Sequence, residues 1–229
     1  MRSHDNLKKQ ILLKDTAFIF DELIGGVYSK IKNVPPIRSE IANVNDTEAI
    51  INLHKKFIEA GVHAIRTNSL MVNQANLKNG FNAVSGFASI SYKNAEDAVK
   101  AANMPVYIFA CIGEIPDTTL GAPLGEYKNI IDVFDDCGAY AYFLEGFKSA
   151  QMTSDVSDYI RSKSKKNVVL ARFDGKPDKY YIASRKRSLK NVFQIDLSFI
   201  KNSELIENEL ENSTSDIHSE AKYIFTPIQ

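Results

Sequence analysis

Short apolar runs alternate with helix-like patterns along most of this chain, and that alternation restricts its fold more than any other feature. Apolar runs of strand length lie at 11–20, 62–67, 85–90, 106–111, 139–144, 168–173 and 192–195, with a short last one at 223–225. Helical patterns lie between them, at 45–60, 95–102, 126–136 and 154–164. Strands that alternate with helices favour a parallel sheet joined by crossover helices. The sequence therefore predicts an α/β fold.

The polar residues that close these runs indicate how the sheet is arranged. They are spread over several strands: Asp15, Thr67-Asn68-Ser69, Gly113-Glu114 and Glu145. This distribution favours a barrel over an open sheet, because α/β barrels carry their chemistry on the loops that follow successive strands. The pattern is regular to about Phe173 and irregular over 174–229. We expect one domain over 1–229, a (β/α)8 TIM-like barrel that is shortened or irregular in its last two units.

Local signals mark the boundaries of one helix in particular. Asn45 stands three residues before Glu48, as in a capping box. Gly61 stands where a left-handed C-terminal cap would end the helix. The preceding stretch 30–38 contains Pro35-Pro36 and is predicted to be a loop. A helix over about 45–60 should therefore lead directly into the strand at 62–67.

Charge and hydropathy exclude several classes of function. Lys plus Arg and Asp plus Glu number 28 each, so the formal net charge is zero and a general nucleic-acid binder is not expected. No stretch approaches eighteen uninterrupted apolar residues, so no membrane span is predicted. The N-terminal residues carry charges without a following apolar segment, so no signal peptide is predicted either. These observations predict a cytoplasmic protein.

One ordered set of residues resembles a known family. Its members are Asn43, Glu48-Ala49-Ile50, His54, Phe57-Ile58, Ala60-Gly61, Ile65, Thr67-Asn68-Ser69-Leu70 and Asn73. The set is similar to a segment of the homocysteine S-methyltransferases, in which a helix ending in Ala-Gly leads into a strand closed by Thr-Asn-Thr-Phe. Three further segments also resemble that family: Leu13-Lys14-Asp15-Thr16-Ala17, Phe109-Ala110-Cys111-Ile112-Gly113 and Phe143-Leu144-Glu145-Gly146-Phe147. The resemblance covers roughly Leu12 to Ala150.

The resemblance implies a site for an amino-acid thiol of the homocysteine type. Asp15 and Glu145 match the acidic residues that hold the ligand's amino group, and a buried ammonium does need carboxylate partners. Thr67 and Asn68 match the loop that organises the same pocket. The structural alternatives are a hydrogen-bonded carboxylate for Asp15, a helix cap for Asn68 and an ion pair for Glu145.

The metal implied by the family has no counterpart in the sequence. Family members hold Zn²⁺ with three cysteines, and coordination deprotonates the substrate thiol. This chain has two cysteines, Cys111 and Cys137, which match other positions. We therefore predict no metal ligands and no cofactor. Cys111 and His54 are interpreted as structural residues, and the basic run 185–187 as a solvated face or an anion site.

Two functions follow as hypotheses. One is methyl transfer to a homocysteine-type thiol, as the resemblance implies, with zinc or another stabiliser of the thiolate coming from elsewhere. The other is a non-catalytic pseudoenzyme on the same barrel, acting as a small-molecule binder or as a partner subunit. A shortened barrel has open sheet edges, so self-association or a protein partner that covers them is expected.

Overall fold

The computed structural model describes residues 7, 18–78, 81–116, 123–173, 192–194 and 223–225. The described strands form one seven-stranded sheet, in the order β6-β5-β4-β3-β2-β1-β7. Neighbours from β1 to β6 pair in parallel, and β7 pairs antiparallel with β1. The strands are β1 (Phe18–Phe20), β2 (Ala64–Arg66), β3 (Tyr107–Gly113), β4 (Ala141–Phe147), β5 (Val168–Phe173), β6 (Val192–Gln194) and β7 (Tyr223–Phe225).

Seven helices connect or flank these strands within the described part of the chain. They are α1 (Ile24–Lys32), α2 (Ile37–Asn45), α3 (Thr47–Glu59), α4 (Gln74–Leu77), α5 (Phe81–Ala102), α6 (Pro123–Asp136) and α7 (Ala150–Lys163). Helices lie between the parallel strands from β1 to β5, so the predicted α/β class is confirmed. The sheet curls into a parallel half-barrel. No described helix combines the length and the apolar character that crossing a membrane requires.

The sheet has two apolar faces, and the alternation of side chains along each strand separates them. In β3, Tyr107 and Phe109 pack into an inner cluster, and Ile108, Ala110 and Ile112 pack against the helices. The inner cluster contains three aromatic rings in edge contact: the Phe20 centroid lies 4.9 Å from that of Phe109 and 5.4 Å from that of Phe143. The inner face of the sheet thus carries an apolar cluster of its own.

The strand predicted at 85–90 is wrong, because this segment lies inside the 22-residue helix α5. Its buried residues recur at helical spacing over the whole element: Val84, Ala88, Ser91, Tyr92, Ala95 and Ala98. A short apolar run does not distinguish a buried strand from part of a longer helix. The predicted strand at 168–173 is therefore the fifth of the sheet and not the sixth.

The loop predicted at 30–38 is also wrong in part. Only 33–36 separates α1 from α2, and Asn33 has a φ of 52° at the C-terminal cap of α1. Asn45 is the last residue of α2 and does not cap α3, which starts after Asp46 without a side-chain cap. The left-handed conformation predicted at Gly61 is confirmed, with a φ of 93°. The basic run 185–187 lies outside the described residues.

Candidate functional site

An arginine lies buried at the carboxyl end of β2. Arg66 is the last residue of that strand, and its side chain follows Ala64 on the inner face of the sheet. It is 1% exposed and is among the largest fully buried side chains in the described part of the chain. A guanidinium stays charged in proteins, so a buried one needs acceptors for its N–H groups and an opposite charge. The surroundings of Arg66 supply both.

Asp21, which directly follows β1, is the main partner of Arg66. Its carboxylate accepts hydrogen bonds from the Arg66 backbone N–H at 3.1 Å and from Nε at 3.1 Å. Nη2 of Arg66 donates to the Asp21 backbone carbonyl. Asp21 is fully buried, and its own backbone N–H donates to the carbonyl of Ala64 at 3.1 Å. The ends of β1 and β2 are therefore joined through both main chain and side chains.

A second carboxylate reaches Arg66 from the other side. Nη1 of Arg66 lies 3.4 Å from Oε2 of Glu145, which is 6% exposed near the end of β4. Gly146 follows with a φ of 74°, at a register shift in the pairing of β4 with β5. Only glycine adopts that conformation readily, which is a local reason for glycine after this acid.

Aromatic rings complete the surroundings of the guanidinium. Cζ of Arg66 lies 5.3 Å from the Phe143 ring centroid and 6.0 Å from that of Phe20. Rings within about 6 Å attract a cation through their quadrupole, and the attraction is stronger where water is excluded. Arg66 is therefore held by two carboxylates, one backbone carbonyl and two ring faces.

The protonation of this cluster follows from its burial. Burial raises the pKa of Asp21 to about 7, although the Arg66 guanidinium favours the ionised carboxylate. Burial by itself would lower the pKa of Arg66, but the two carboxylates outweigh burial and raise it, so Arg66 remains the cation of the cluster. His54 Nδ1 lies 3.9 Å from the Asp21 carboxylate, and burial lowers the pKa of His54 to about 3. His54 is thus a neutral, fully buried side chain.

Thr67 connects β2 to β3. Its Oγ1 accepts a hydrogen bond from the Cys111 backbone N–H at 2.8 Å and lies 2.7 Å from Oγ of Ser69. Ser69 Oγ in turn donates to the Cys111 carbonyl at 2.6 Å. Both hydroxyls therefore extend the pairing of the two strands past the end of β2.

Asn68 connects the same loop to the helices. Its Nδ2 donates to the Ser39 carbonyl at 2.6 Å and to Asn43 Oδ1 at 3.3 Å, and Asn43 Nδ2 donates to the Asn68 carbonyl at 2.7 Å. Asn94 of α5 donates to the Asn43 carbonyl at 3.0 Å. Asn68 does not cap the following helix α4, whose N-terminal cap is Asn73. It joins the site loop to α2.

Replacing Asn68 by alanine should lower the free energy of unfolding by about 2–3 kcal/mol, because buried partners on α2 lose their hydrogen bonds. Urea titration of the variant measures this loss. Asn82→Ala, at an exposed position of α5, is the matched control and should change the free energy by less than about 0.5 kcal/mol. Equal effects of the two substitutions would contradict the role given to Asn68.

A third buried carboxylate lies beside this loop. Glu40 of α2 is 2% exposed, and it accepts hydrogen bonds from Ser39 Oγ at 2.7 Å and from the Met71 backbone N–H at 3.1 Å. Burial outweighs these hydrogen bonds and raises the pKa of Glu40 from its ordinary 4.5 to about 7. The folded protein therefore holds the Glu40 proton more tightly than the unfolded chain does.

This raised pKa predicts a pH-dependent stability. As the pH rises from 4.5 to about 7, the unfolded chain releases the Glu40 proton first, so the folded state loses stability across that window. Each pKa unit corresponds to about 1.4 kcal/mol, so the loss is on the order of 3 kcal/mol. Glu40→Gln should remove it. Asp21 titrates in the same window, so the test is the difference between the unfolding profiles of the two proteins; superimposable slopes would contradict the prediction.

Cysteine chemistry in the site is limited by burial. Cys111 of β3 is fully buried, and burial raises the pKa of its thiol, which keeps it protonated at neutral pH. Cys137 lies at the end of α6, with its Sγ 3.5 Å from Ser89 Oγ. No group of three or more His, Cys, Asp or Glu side chains is placed to hold a metal ion within the described residues. The described residues therefore do not fit the three-cysteine zinc centre that the resemblance implies.

The predicted site residues have different positions in this arrangement. Thr67 and Asn68 lie where β2 ends and are engaged with β3 and α2. Glu145 lies beside Arg66, and Asp15 lies outside the described residues.

Sequence reasoning missed Asp21 and Arg66. Asp21 closes the apolar run Phe18-Ile19-Phe20, a signal of the kind used for the other strands, whereas Arg66 stands inside a run that otherwise looks like a buried strand.

Comparison with known proteins gives one family match. The model of the homocysteine S-methyltransferase family matches residues 18–156, which is more than half of the chain. The match begins at Phe18, after the segment Leu13-Lys14-Asp15-Thr16-Ala17 that resembles the family. No curated protein sequence shows significant similarity to the chain.

Solved structures agree with this match at the level of the fold. The metallated form of the homocysteine methyltransferase MmuM from Escherichia coli is similar with a TM-score of 0.63 and 14% identity, over 85% of this chain and 78% of that one. The oxidised form of MmuM has a TM-score of 0.62 and 12% identity, over 81% and 75% of the two chains. Identity this low carries the fold and nothing finer. On the family match, the chain belongs to the homocysteine S-methyltransferase family.

Proposed function

We propose that this protein is a non-catalytic member of its family, a homocysteine S-methyltransferase-like barrel that does not itself transfer a methyl group to homocysteine through a zinc-bound thiolate. The cysteine inventory is the observation that carries the proposal. A sequence with two cysteines cannot form a three-cysteine centre by itself, and the thiol of Cys111 is buried and protonated.

The chemistry of thiol methylation explains why this matters. The thiolate is the nucleophile, and a free thiol is mostly protonated at neutral pH. A metal ligated by the protein supplies the missing activation by deprotonating the coordinated thiol. Within the described residues, the buried charges at the carboxyl ends of β1, β2 and β4 are those of Asp21, Arg66 and Glu145, two carboxylates around one guanidinium. The two carboxylates hold the guanidinium and do not generate a thiolate.

The second candidate is methyl transfer to a homocysteine-type thiol, which the family match favours. It requires zinc ligands from a second subunit and a pocket that admits the amino acid. A complete (β/α)8 barrel is also a proposal, supported by the parallel run from β1 to β6. A protein partner or second copy at the sheet edges and a cytoplasmic location stay predictions.

Zinc analysis of the purified protein tests the proposal. After dialysis against zinc and then against buffer, we expect far less than one zinc per chain, and the same content in the Cys111→Ser and Cys137→Ser variants. One zinc per chain that either substitution abolishes would overturn the proposal. Methyl transfer to homocysteine by the purified chain would overturn it as well.

A further inference from the structure

The surroundings of Arg66 are built to bind a cation. We propose that Asp21, Glu145, Phe20 and Phe143 form a cation cage shaped for a guanidinium group, and that Arg66 occupies this cage as an internal ligand. This inference rests on the proposed function, in which the same pocket no longer serves zinc-dependent catalysis. It adds what fills that pocket in the native protein.

The hydrogen bonds match the shape of a guanidinium. Nε donates to the Asp21 carboxylate, Nη2 donates to the Asp21 carbonyl, and Nη1 faces Glu145, so each of the three nitrogens has its own acceptor. These acceptors belong to residues far apart in the sequence, on β4 and after β1. A planar fork of donors met by acceptors on two sides is the arrangement by which proteins recognise guanidinium groups.

Burial and the two rings strengthen that recognition. Asp21 is fully buried and Arg66 is 1% exposed, so water competes little for either group. The Phe143 and Phe20 rings lie 5.3 Å and 6.0 Å from Cζ. A pair of carboxylates combined with aromatic faces attracts cations, whereas a neutral or anionic ligand receives no comparable electrostatic attraction.

The tether of Arg66 determines what the native protein binds. A covalently attached guanidinium is present at a high effective concentration, against which a free ammonium ligand has to compete. The cage is therefore closed to free amino-acid cations while Arg66 is present. Removing the side chain beyond Cβ leaves a space that matches ethylguanidinium, since that molecule replaces the atoms from Cγ to the two Nη nitrogens.

Chemical rescue of Arg66→Ala with ethylguanidinium tests the cage. Thermal unfolding is followed with increasing probe for wild type, for Arg66→Ala and for Arg161→Ala, an arginine variant on α7 outside the cage. Ethylurea serves as the uncharged probe. We expect a saturable rise of the unfolding midpoint in Arg66→Ala alone and with ethylguanidinium alone, by about 3–6 °C for each tenfold increase above its dissociation constant. Adding Glu145→Gln should reduce the rise.

A pair of variants without any probe keeps the inference falsifiable if Arg66→Ala does not fold. Arg66→Lys and Arg66→Met have side chains of similar length, and a cation cage should keep Arg66→Lys the more stable of the two. An Arg66→Met midpoint equal to or above that of Arg66→Lys would overturn the inference, as would an equal response of wild type and Arg66→Ala to the probe. Neither result bears on zinc content or methyl transfer by wild type, so a failure here is distinguishable from a failure of the proposed function.

Discussion

Replacing Arg66 by methionine should lower the free energy of unfolding by about 3–5 kcal/mol, since it leaves a buried carboxylate without its counter-ion. The loss should be greater near pH 8 than near pH 5. Without the guanidinium, the pKa of Asp21 rises further above its already raised value of about 7, so the extra loss appears above pH 7, where wild type and the unfolded chain ionise this group and the folded variant does not. Urea titrations of wild type and variant at the two pH values measure both effects.

The double variant Arg66→Met with Asp21→Asn is the control for this interpretation. Removing the unpaired charge together with its partner should recover part of the lost free energy, because replacing a buried ion pair costs less than breaking it. The four proteins form a double-mutant cycle, and the coupling between Asp21 and Arg66 should be at least about 1 kcal/mol. Additive losses in the cycle would show that the two side chains act separately.

Gly113→Ala should destabilise the fold by about 3 kcal/mol or more. Gly113 ends β3 and pairs with Glu145 of β4, and a Cβ at this position would overlap the backbone carbonyl oxygen of Leu70. The overlap involves backbone and not the flexible end of a side chain, so relief requires moving the loop that follows β2. Because that loop carries Asn68 and Ser69, the effect should extend to the candidate site.

Gly86→Ala is the matched control for this substitution. Gly86 is exposed in α5, and a Cβ there meets nothing within 4 Å. Alanine is favoured over glycine inside a helix, so this variant should gain about 0.5–1 kcal/mol. Thermal or urea unfolding of both variants tests the pair, and a Gly113→Ala protein as stable as wild type would refute the close approach of Leu70 to β3.

Much of the fold was predictable from local pattern, for physical reasons that also explain the errors. The runs closed by Phe173 and by Glu145 are short, apolar and bounded by turns, and both are strands. The segment 85–90 has similar composition but belongs to a helix whose buried residues recur over 22 positions, a period that a six-residue window does not reveal. The two helices around Pro35-Pro36 were missed because the two prolines predicted a loop. Pro36 instead occupies the N-terminal cap of α2.

The candidate site was only partly predictable. Glu145 could be found because a carboxylate after an apolar strand is conspicuous, and the ion-pair alternative kept open for it describes its contact with Arg66. Arg66 could not be found in the same way. A single charged residue between Ile65 and Thr67 looks like a solvent-facing position of a strand, whereas Arg66 lies on the same inner face as Ala64 and is 1% exposed. Asp21 also closes an apolar run, but the role of the acidic residue after the first strand was assigned to Asp15 instead.

On the proposed function, the chain is a family member with a parallel half-barrel whose buried carboxylates are occupied by its own Arg66. The carboxylates proposed to face a ligand's amino group hold a guanidinium of the same chain. The two cysteines of this sequence do not form the three-cysteine centre that would activate the thiol of homocysteine. We therefore expect both features to oppose homocysteine, because Arg66 competes with its ammonium group and its thiol stays protonated.

Calorimetric titration of L-homocysteine into the wild-type protein, with zinc present, tests whether the carboxylates beside Arg66 still accept the amino acid. We expect no saturable heat, because Arg66 occupies the cation cage and no zinc-bound thiolate forms. Saturable binding of one homocysteine per chain would contradict this expectation.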